Sequence, residues 1–352
     1  MSDPITPAGP PAEITHLVRE RMEARTKHDW TRADALKEEI ELAGWKVVDR
    51  GSKTTVTPAA PASVEVDGEV RYGTAAAVPS LLAEPAGAAL TVVVVASEAP
   101  AAVSRLLSGL RFHSPAGTQI VVVANDPSAE QEATLRPDGP DTAPIGQTAP
   151  EVLRTSRRLA IGVALNIGLM RAAGDVIVLA DGSAWPTGDA LSPLVDALRD
   201  PAVAVVGGFG LTTAQAGPLQ PTALERSDDA AVVALEAAWM AFRRADLIEL
   251  GPLDERFVIP AWLDVWWSLR LRAGKDPEFA DDSTTETADQ STSDVEVGSA
   301  LPQVPLPAPR KALRLELPLG RDETGWPPDR SRMARRNMYR VLDAFGWRDD
   351  LA

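Results

Sequence analysis

The sequence has no cysteine, and it has only 3 histidines and 5% aromatic residues in 352 residues. The absence of cysteine excludes disulfide bonds, thiolate metal sites and cysteine nucleophiles. Positive charge is also scarce, since 35 Lys and Arg stand against 50 Asp and Glu and the formal net charge is −15. Such a charge disfavours non-specific binding to nucleic acid and to anionic membranes.

Long hydrophobic segments are missing as well. The longest apolar run, around Ala88 to Ala96, is about half of the ~20 residues that a membrane-spanning helix needs. The proline-rich start, Met1 to Ala12, has neither the basic nor the apolar region of a signal peptide. We therefore expect a cytoplasmic protein without a transmembrane segment.

Hydrophobic periodicity divides the chain into two unequal parts. Apolar residues recur at helical spacing on both sides of Lys27 to Trp30, and two short β-type runs follow around Asp49. This pattern predicts a helical hairpin with a small β-tail over 13–57. Residues 1–12 are expected to be a disordered tail, and the Ala-, Pro- and Gly-rich stretch 58–88 a linker with little structure of its own.

The larger part, 89–352, alternates between strand and helix patterns. Runs of Val, Leu and Ile predict strands that are buried on both faces, at 90–96, 119–123, 175–179 and 203–206. Helical patterns separate them, at 101–110, 159–173 and 191–198. The alternation predicts an α/β fold with a mostly parallel sheet, whose ligands bind at the carboxyl ends of the strands. The acidic, Ser- and Thr-rich residues 276–310 are expected to be a disordered insertion.

The first part carries one family resemblance. Its residues are Arg21, Ala24, Arg25, Lys27, Asp29, Trp30, Ala33, Asp34, Leu36, Lys37, Gly44 and Asp49. This run resembles the C-terminal subdomain of bacterial cysteinyl-tRNA synthetases, which belongs to their tRNA-binding end. No HIGH-type or KMSKS-type motif accompanies it, so aminoacylation is excluded. Eight basic and nine acidic residues between Glu13 and Arg50 make a mixed surface rather than a basic stripe, so a docking module is the alternative to a tRNA contact.

The second part, about 90–351, carries another resemblance. Its strongest elements are Met240-Ala-Phe-Arg-Arg244, then Gly251-Pro-Leu-Asp-Glu-Arg-Phe257, then Asp264 ahead of Ser268-Leu-Arg-Leu-Arg-Ala-Gly274. In order and spacing they resemble family 2 glycosyltransferases. The resemblance implies a GT-A fold, which is a Rossmann-like sheet that binds nucleotide-diphosphate sugars. It also implies transfer of the sugar, with inversion, to an acceptor that the sequence does not identify.

The same resemblance implies a set of site residues. Asp264 matches the catalytic base, although the Glu that usually precedes it is Leu263 here. Contacts to the nucleotide sugar are implied for Ser97, Asn125, Asp126, Asn166 and Asp181. Contacts on the acceptor side are implied for Asp254, Glu255 and Trp262.

The metal site of the family is altered in this sequence. Asp181-Gly182-Ser183 stands where the family has Asp-x-Asp, which holds Mg²⁺ or Mn²⁺ against the diphosphate. A serine hydroxyl is a poor ligand for these ions, and no histidine follows in the later part of the chain. The resemblance therefore implies a metal ligand at Asp181 whose site is weakened, unless Asp189 or water substitutes.

Three hypotheses for function stay open at this stage. The first is an inverting glycosyltransferase. The second is a catalytically degenerate GT-A scaffold that binds a nucleotide or a protein without turnover, which Ser183 and Leu263 favour. The third is an accessory protein that contacts tRNA through the first part.

Overall fold

The computed structural model describes residues 10, 12–42, 45–50, 53–58, 63–97, 99–135, 149–213, 221, 224–274, 308–322 and 331–351. The chain forms two compact units, Met1–Val64 and Glu65–Ala352. Apart from residues 10, 12 and 308–310, the tail and the acidic insertion expected from the sequence lie outside the described residues. Among the described helices, none combines the length and the apolarity that crossing a bilayer demands.

The first unit is a helical hairpin followed by a β-hairpin. Helices α1 (Ala12–Thr26) and α2 (Trp30–Leu42) precede strands β1 (Trp45–Arg50) and β2 (Lys53–Pro58), which are antiparallel. Buried Ile14, Ile40 and Val47 form its small core. Helix α1 and the β-hairpin are also linked by charge, because Arg21 and Arg25 of α1 both pair with Asp49 of β1.

The second unit is built on a sheet that has ten strands in the described residues. Their order across the sheet is β13-β16-β10-β15-β8-β5-β6-β7-β4-β3. The bounds are β3 Val64–Val66, β4 Glu69–Tyr72, β5 Ala88–Ala96, β6 Gln119–Ala124, β7 Glu151–Thr155, β8 Gly174–Ala180, β10 Val203–Gly207, β13 Ala231–Val232, β15 Trp239–Arg243 and β16 Lys311–Arg314. Strands β4, β7, β6, β5 and β8 run parallel, and β15 lies antiparallel between β8 and β10. The α/β fold with a mostly parallel sheet is therefore confirmed.

Helices cover both faces of this sheet. They are α3 Pro100–His113, α4 Ala129–Leu135, α5 Ile161–Leu169, α6 Ser192–Ala197, α7 Arg244–Leu250, α8 Leu263–Ala273 and α9 Arg332–Phe345. Successive side chains of β5 belong to the hydrophobic cores on opposite faces of the sheet. Val92 and Val94 pack with α3 and α6, while Val93 packs with α5, α8 and α9. Because both faces are buried, the strands in the middle of the sheet are predominantly apolar.

Two smaller sheets lie beside the main one. Strand β9 (Ala184–Pro186) and strand β17 (Leu319–Arg321) pair antiparallel to each other. Strand β11 (Gly210–Thr213) pairs with β12 (Leu224–Ser227) and β14 (Ala234–Leu235).

The linker expected at 58–88 needs correction. Strands β3 and β4 and the 3₁₀ turn Ala75–Ala77 lie within it, and β4 extends the main sheet by pairing with β7. Asp67 and Gly68 between β3 and β4 both have positive φ, 53° and 78°, as tight hairpin turns require. Composition misled here because Ala and Val residues of this stretch, such as the buried Ala75 and Val78, pack against the core.

Candidate active site

The turn after β8 opens the candidate site. Strand β8 ends at Ala180, and Asp181 follows at the carboxyl edge of the sheet. The Asp181 carboxylate is exposed, and its Oδ1 accepts hydrogen bonds from the Ser183 backbone N at 2.8 Å and from Ser183 Oγ. The Asp181 backbone N donates to the Ala238 oxygen at 3.4 Å. The turn is therefore joined to residues 236–238, which connect β14 to β15.

Asp264 lies in the first turn of α8 beside the same connection. Its carboxylate accepts from the Val265 backbone N at 2.9 Å and from the backbone N of Ala237. Burial raises the pKa of Asp264 to about 7, and the charge of Glu236 adds to the rise, against the lowering effect of these two hydrogen bonds. The residue as a whole is partly exposed. Trp262, rather than Asp264, holds the N-cap position of α8.

Glu236 is a buried carboxylate at this edge. It is 6% exposed, and Arg226 donates to it from Nε at 2.9 Å and from Nη2 at 3.3 Å. Arg321 of β17 donates to Glu236 Oε2, the oxygen that also accepts from Arg226 Nη2. Sequence reasoning missed these three residues, because no motif links positions so far apart in the chain. The available signal was a single acidic residue within the apolar stretch Ala230–Met240.

Arg321 flanks the Asp181 turn. Its backbone pairs with Ala184 in the β9–β17 sheet, and the neighbouring Asp322 N donates to the Ser183 oxygen at 2.8 Å. The Arg321 guanidinium carbon lies 4.0 Å from the centre of the Phe209 ring. This stacking and the contact to Glu236 hold the guanidinium against Phe209 and Glu236.

Helix α3 lies against the same turn. A Cβ atom on Gly182 would lie 3.0 Å from the Cβ of Ala102. Arg105 of α3 pairs with Asp322 and lies 3.7 Å above the centre of the Trp185 ring. Ser97, which follows β5, is partly exposed near the start of this helix.

Asn125 and Asp126 directly follow β6 and differ in accessibility. The Asn125 amide is buried, with Leu159 N donating to its Oδ1 at 2.8 Å and its Nδ2 donating to Leu159 O at 3.0 Å. Thr155 Oγ1 also donates to Oδ1, at 3.2 Å. Asp126, by contrast, is exposed. The Asn125 amide is thus engaged by protein atoms, and the accessible side chain of the pair is Asp126.

The Asn166 side chain bonds to other protein groups and does not have the role expected for it. It is fully buried in α5, where its Oδ1 accepts from Leu253 N at 3.0 Å and its Nδ2 donates to Leu253 O at 2.9 Å and to Glu255 Oε1 at 3.3 Å. These bonds anchor the 251–257 loop, which belongs to the expected acceptor side. The expected contact between Asn166 and the nucleotide sugar is corrected accordingly, because the amide is used within the protein.

The acceptor-side candidates fall into three environments. Arg256 donates four hydrogen bonds to Asp254 from its backbone and side chain. Burial acts to raise the pKa of Asp254, but these bonds outweigh it and hold the pKa below its usual range. Glu255 is exposed. Trp262 is 5% exposed and packs in the core, so a sugar cannot stack on its ring in this conformation.

The residues present do not fit the metal site of the family. Within the described part of the chain, no three or more His, Asp or Glu side chains converge in a way that could hold a metal ion. The Asp181 carboxylate is the single acidic group of its turn, and Ser183 donates to it. Asp189, the possible substitute, accepts from the backbone N atoms of Leu191 and Ser192 at 3.1 and 3.0 Å and caps α6.

A separate cavity of about 350 Å³ lies elsewhere. It is lined by residues of α5, α7 and the segment before β5, among them Leu82, Leu169, Met170 and Ile248. Neither Asp181 nor Asp264 lines it.

The part of the chain that includes the turn after β8 matches a known family model. Residues 92–229 match the family model for Glycosyl transferase family 2. The match covers less than half of the chain. It includes Asp126, Asp181 and Arg226 but ends before Glu236 and Asp264. It supports the expectation of a glycosyltransferase domain, and with it of a transferase.

Three solved structures match parts of this chain. Mannosyltransferase PcManGT from Pyrobaculum calidifontis, in complex with GDP-Man and Mn²⁺, is 19% identical over 56% of this chain and 55% of that chain, with a TM-score of 0.42. GalNAc-T7 with UDP, GalNAc and Mn²⁺ is 15% identical over 73% of this chain and 48% of that chain, with a TM-score of 0.49. S. aureus TarS 1-349 is 14% identical over 53% and 55%, with a TM-score of 0.39. This chain therefore spans about half the length of the solved structures it matches. A comparison with curated proteins gave no match.

Proposed function

We propose that the second unit is an inverting glycosyltransferase that moves a sugar from a nucleotide-diphosphate donor to an acceptor hydroxyl. The family match over 92–229 supports the reaction class. The observation that carries the proposal is the position of Asp264, whose carboxyl lies beside the 236–238 connection that also contacts the Asp181 turn. In this proposal Ser97, Asp126 and Asp181 face the donor, and Asp254 and Glu255 face the acceptor.

The chemistry is a single displacement. The acceptor oxygen attacks the anomeric carbon, its proton passes to the Asp264 carboxylate, and the bond from the anomeric carbon to the phosphate oxygen breaks. The bonding electrons leave with the nucleoside diphosphate, and attack from the opposite side inverts the configuration. A carboxyl whose pKa is about 7 suits this task, because a general base works best when its pKa lies near the working pH.

The test is turnover of a panel of UDP- and GDP-sugars, measured as release of nucleoside diphosphate. Asp264→Asn keeps the shape of the side chain but removes the base, so kcat should fall about 10²- to 10⁴-fold while nucleotide binding is retained. Asp196→Asn is the matched control, because Asp196 is an exposed carboxylate on α6 that pairs with Arg199. Equal turnover by Asp264→Asn and the wild type would remove Asp264 from the mechanism.

The degenerate scaffold is the second candidate. It is favoured by one observation, that the single carboxylate of the Asp181 turn is already engaged by Ser183. Wild-type protein that binds UDP or GDP tightly but releases nothing from any sugar of the panel would support this candidate over catalysis.

For the first unit we propose a docking role in a cytoplasmic protein, with the cysteinyl-tRNA synthetase resemblance as its origin. Two of its arginines, Arg21 and Arg25, are engaged within the unit because both pair with Asp49, which favours docking over a tRNA contact. Filter binding of the full chain to total tRNA tests this. Tight binding that weakens steeply with salt would contradict docking and support a tRNA contact.

A further inference from the structure

Helix α9 concentrates positive charge in a chain whose formal net charge is −15. Arg332, Arg335 and Arg336 are exposed in its first two turns, and Arg340 is partly buried one turn later. The first turn contains no acidic residue. Cations are unfavourable at the amino end of a helix, where the macrodipole is already positive, and like charges at i,i+4 repel each other. This arrangement weakens the helix unless an anion is bound to it.

Contacts place α9 beside the 251–257 loop. The Arg340 guanidinium carbon lies 5.9 Å from the centre of the Phe257 ring. Asn337 donates from Nδ2 to Ala261 O at 3.0 Å, which ties α9 to the segment between this loop and α8. The arginine-rich helix is therefore packed where the loop of the acceptor side leads into the helix that carries the proposed base.

Positive charge exceeds negative charge at this contact. The 251–257 loop and α9 together contain five arginines and three carboxylates. The arginines are Arg256, Arg332, Arg335, Arg336 and Arg340, and the carboxylates are Asp254, Glu255 and Asp343. Arg256 donates four hydrogen bonds to Asp254, so that carboxylate is engaged. Two positive charges are left over in these two elements.

The pKa of Arg340 reflects the same balance. Burial lowers this pKa, and the positive charges of Arg256 and Arg336 lower it further, against the smaller opposing effects of Asp254 and Asp343. The Arg340 Nε atom is also buried, and it has no hydrogen-bond partner in the described residues. Surroundings that disfavour a further positive charge favour a negative one, so an anion beside Arg340 would be stabilised.

We infer that Arg336 and Arg340, with the charge of Arg256 beside them, bind a phosphate group carried by the acceptor. The inference rests on the proposed function, in which the 251–257 loop faces the acceptor. Guanidinium groups stay charged at all working pH values, and their planar N–H donors match phosphate oxygens. A phosphate monoester carries nearly two negative charges at pH 7, which suits two guanidinium groups better than the single charge of a carboxylate does.

The experiment is calorimetric titration of the full chain with pyrophosphate, in EDTA and in excess UDP and GDP. The nucleotides keep the probe out of the donor site, so binding in their presence reports a separate anion site. For the wild type we expect such binding, and acetate should bind far more weakly. Arg336→Gln and Arg340→Gln should each weaken pyrophosphate binding about tenfold or more, the worth of a lost hydrogen bond to a charged group.

Arg335→Gln is the matched control. Arg335 is exposed on the same helix and next to Arg336, but it lies off the face that Arg336 and Arg340 share at i,i+4 spacing. This variant should bind pyrophosphate within about twofold of the wild type. Because Arg336 is exposed, Arg336→Gln should keep the fold, and urea denaturation of all three variants checks this.

Vesicles distinguish a lipid-borne phosphate from a soluble one. The full chain is sedimented with phosphatidylcholine vesicles that contain phosphatidic acid, whose headgroup is a phosphate monoester. Co-sedimentation that is lost in Arg336→Gln would assign the phosphate to a lipid acceptor. Pyrophosphate binding without co-sedimentation would assign it to a soluble acceptor, and both results support the phosphate site.

Three outcomes overturn the inference. They are no pyrophosphate binding in excess UDP and GDP, wild-type affinity in Arg336→Gln, or equal losses in Arg335→Gln and Arg336→Gln, which would indicate diffuse attraction. If any of these occurs while Asp264→Asn still abolishes turnover, the inference fails and the glycosyltransferase proposal stands. If folded wild-type protein binds pyrophosphate through Arg336 but binds no nucleotide and turns over no nucleotide sugar, the proposed function fails and the anion site has no acceptor role.

Discussion

At Asp264, burial of a carboxyl links function to stability. Burial raises its pKa from 3.8 to about 7, so the folded state binds this proton more tightly than the unfolded chain does. Stability from this group is therefore fully present below about pH 3.8 and is lost as the pH rises toward 7. A catalytic base of this kind weakens the fold under the conditions in which it is ionised and active.

The first prediction follows from the raised pKa of Asp264. Asp264→Asn should be more stable than the wild type above pH 7, by on the order of 2 to 4 kcal/mol, and should lose this advantage at pH 4. Urea denaturation at the two pH values measures it. A variant that is less stable than the wild type at both would mean that the buried carboxyl contributes by packing or hydrogen bonds instead.

The second prediction concerns the pH dependence of turnover. Since Asp264 must be ionised to accept a proton, kcat/KM for the wild type should rise with pH and reach half of its maximum near pH 7. Glu236 contributes to the raised pKa through its negative charge. Glu236→Gln should therefore move the half-maximum to lower pH, and an unchanged or higher midpoint would contradict the coupling.

Among the elements, α5 determines where the acceptor-side loop lies. Gly162 at its first turn donates from its backbone N to Phe257 O at 3.0 Å, and a Cβ atom there would lie 2.6 Å from the Asp254 oxygen. The loop approaches this closely because glycine leaves space. Asn166, one turn later, bonds both backbone polar groups of Leu253. Helix and loop therefore move together.

The third prediction tests this contact. Gly162→Ala should displace the loop and destabilise the protein by about 1 to 3 kcal/mol, and turnover should fall with it. Gly87→Ala is the control, because a Cβ atom at Gly87 meets nothing within 4 Å. Urea denaturation and nucleoside diphosphate release are the measurements, and equal behaviour of the two variants would show that the loop has room to adjust.

Four strands of the main sheet, β5, β6, β8 and β10, could be predicted from the sequence because both of their faces are buried. The runs 90–96, 119–123, 175–179 and 203–206 each lie within two residues of the observed strands. Strand β7 was missed because it lies nearer the edge, where Glu151 and Arg154 are engaged in ion pairs. The contact between Arg321 and Glu236 spans 85 residues, and no local pattern encodes a pairing of that range.

For the whole molecule, the division into two units is the main feature. Each has its own buried core, that of the first unit being small and formed around Ile14, Ile40 and Val47. All site residues discussed above belong to Glu65–Ala352. Nothing in the proposed chemistry requires the first unit.

The fourth prediction is that a chain starting at Ser63 keeps the nucleotide chemistry. UDP or GDP binding and release of nucleoside diphosphate should stay within about twofold of the full chain, because a unit with its own core folds independently. Calorimetry and the release assay measure this. A large loss of activity in a folded truncated protein would assign the first unit a part in the site.

The antiparallel direction of β15 limits which sequence changes the carboxyl edge of the main sheet can accept. At the carboxyl edge of the sheet, a parallel strand places the residues that follow it, as β8 places Asp181. Because β15 is antiparallel to β8, it places the residues that precede it at this edge. The three residues 236–238 thus contact both the turn after β8 and the start of α8. An insertion or deletion of one residue there would shift both contacts at once, so the length of this connection is constrained even though two of its three side chains are alanine.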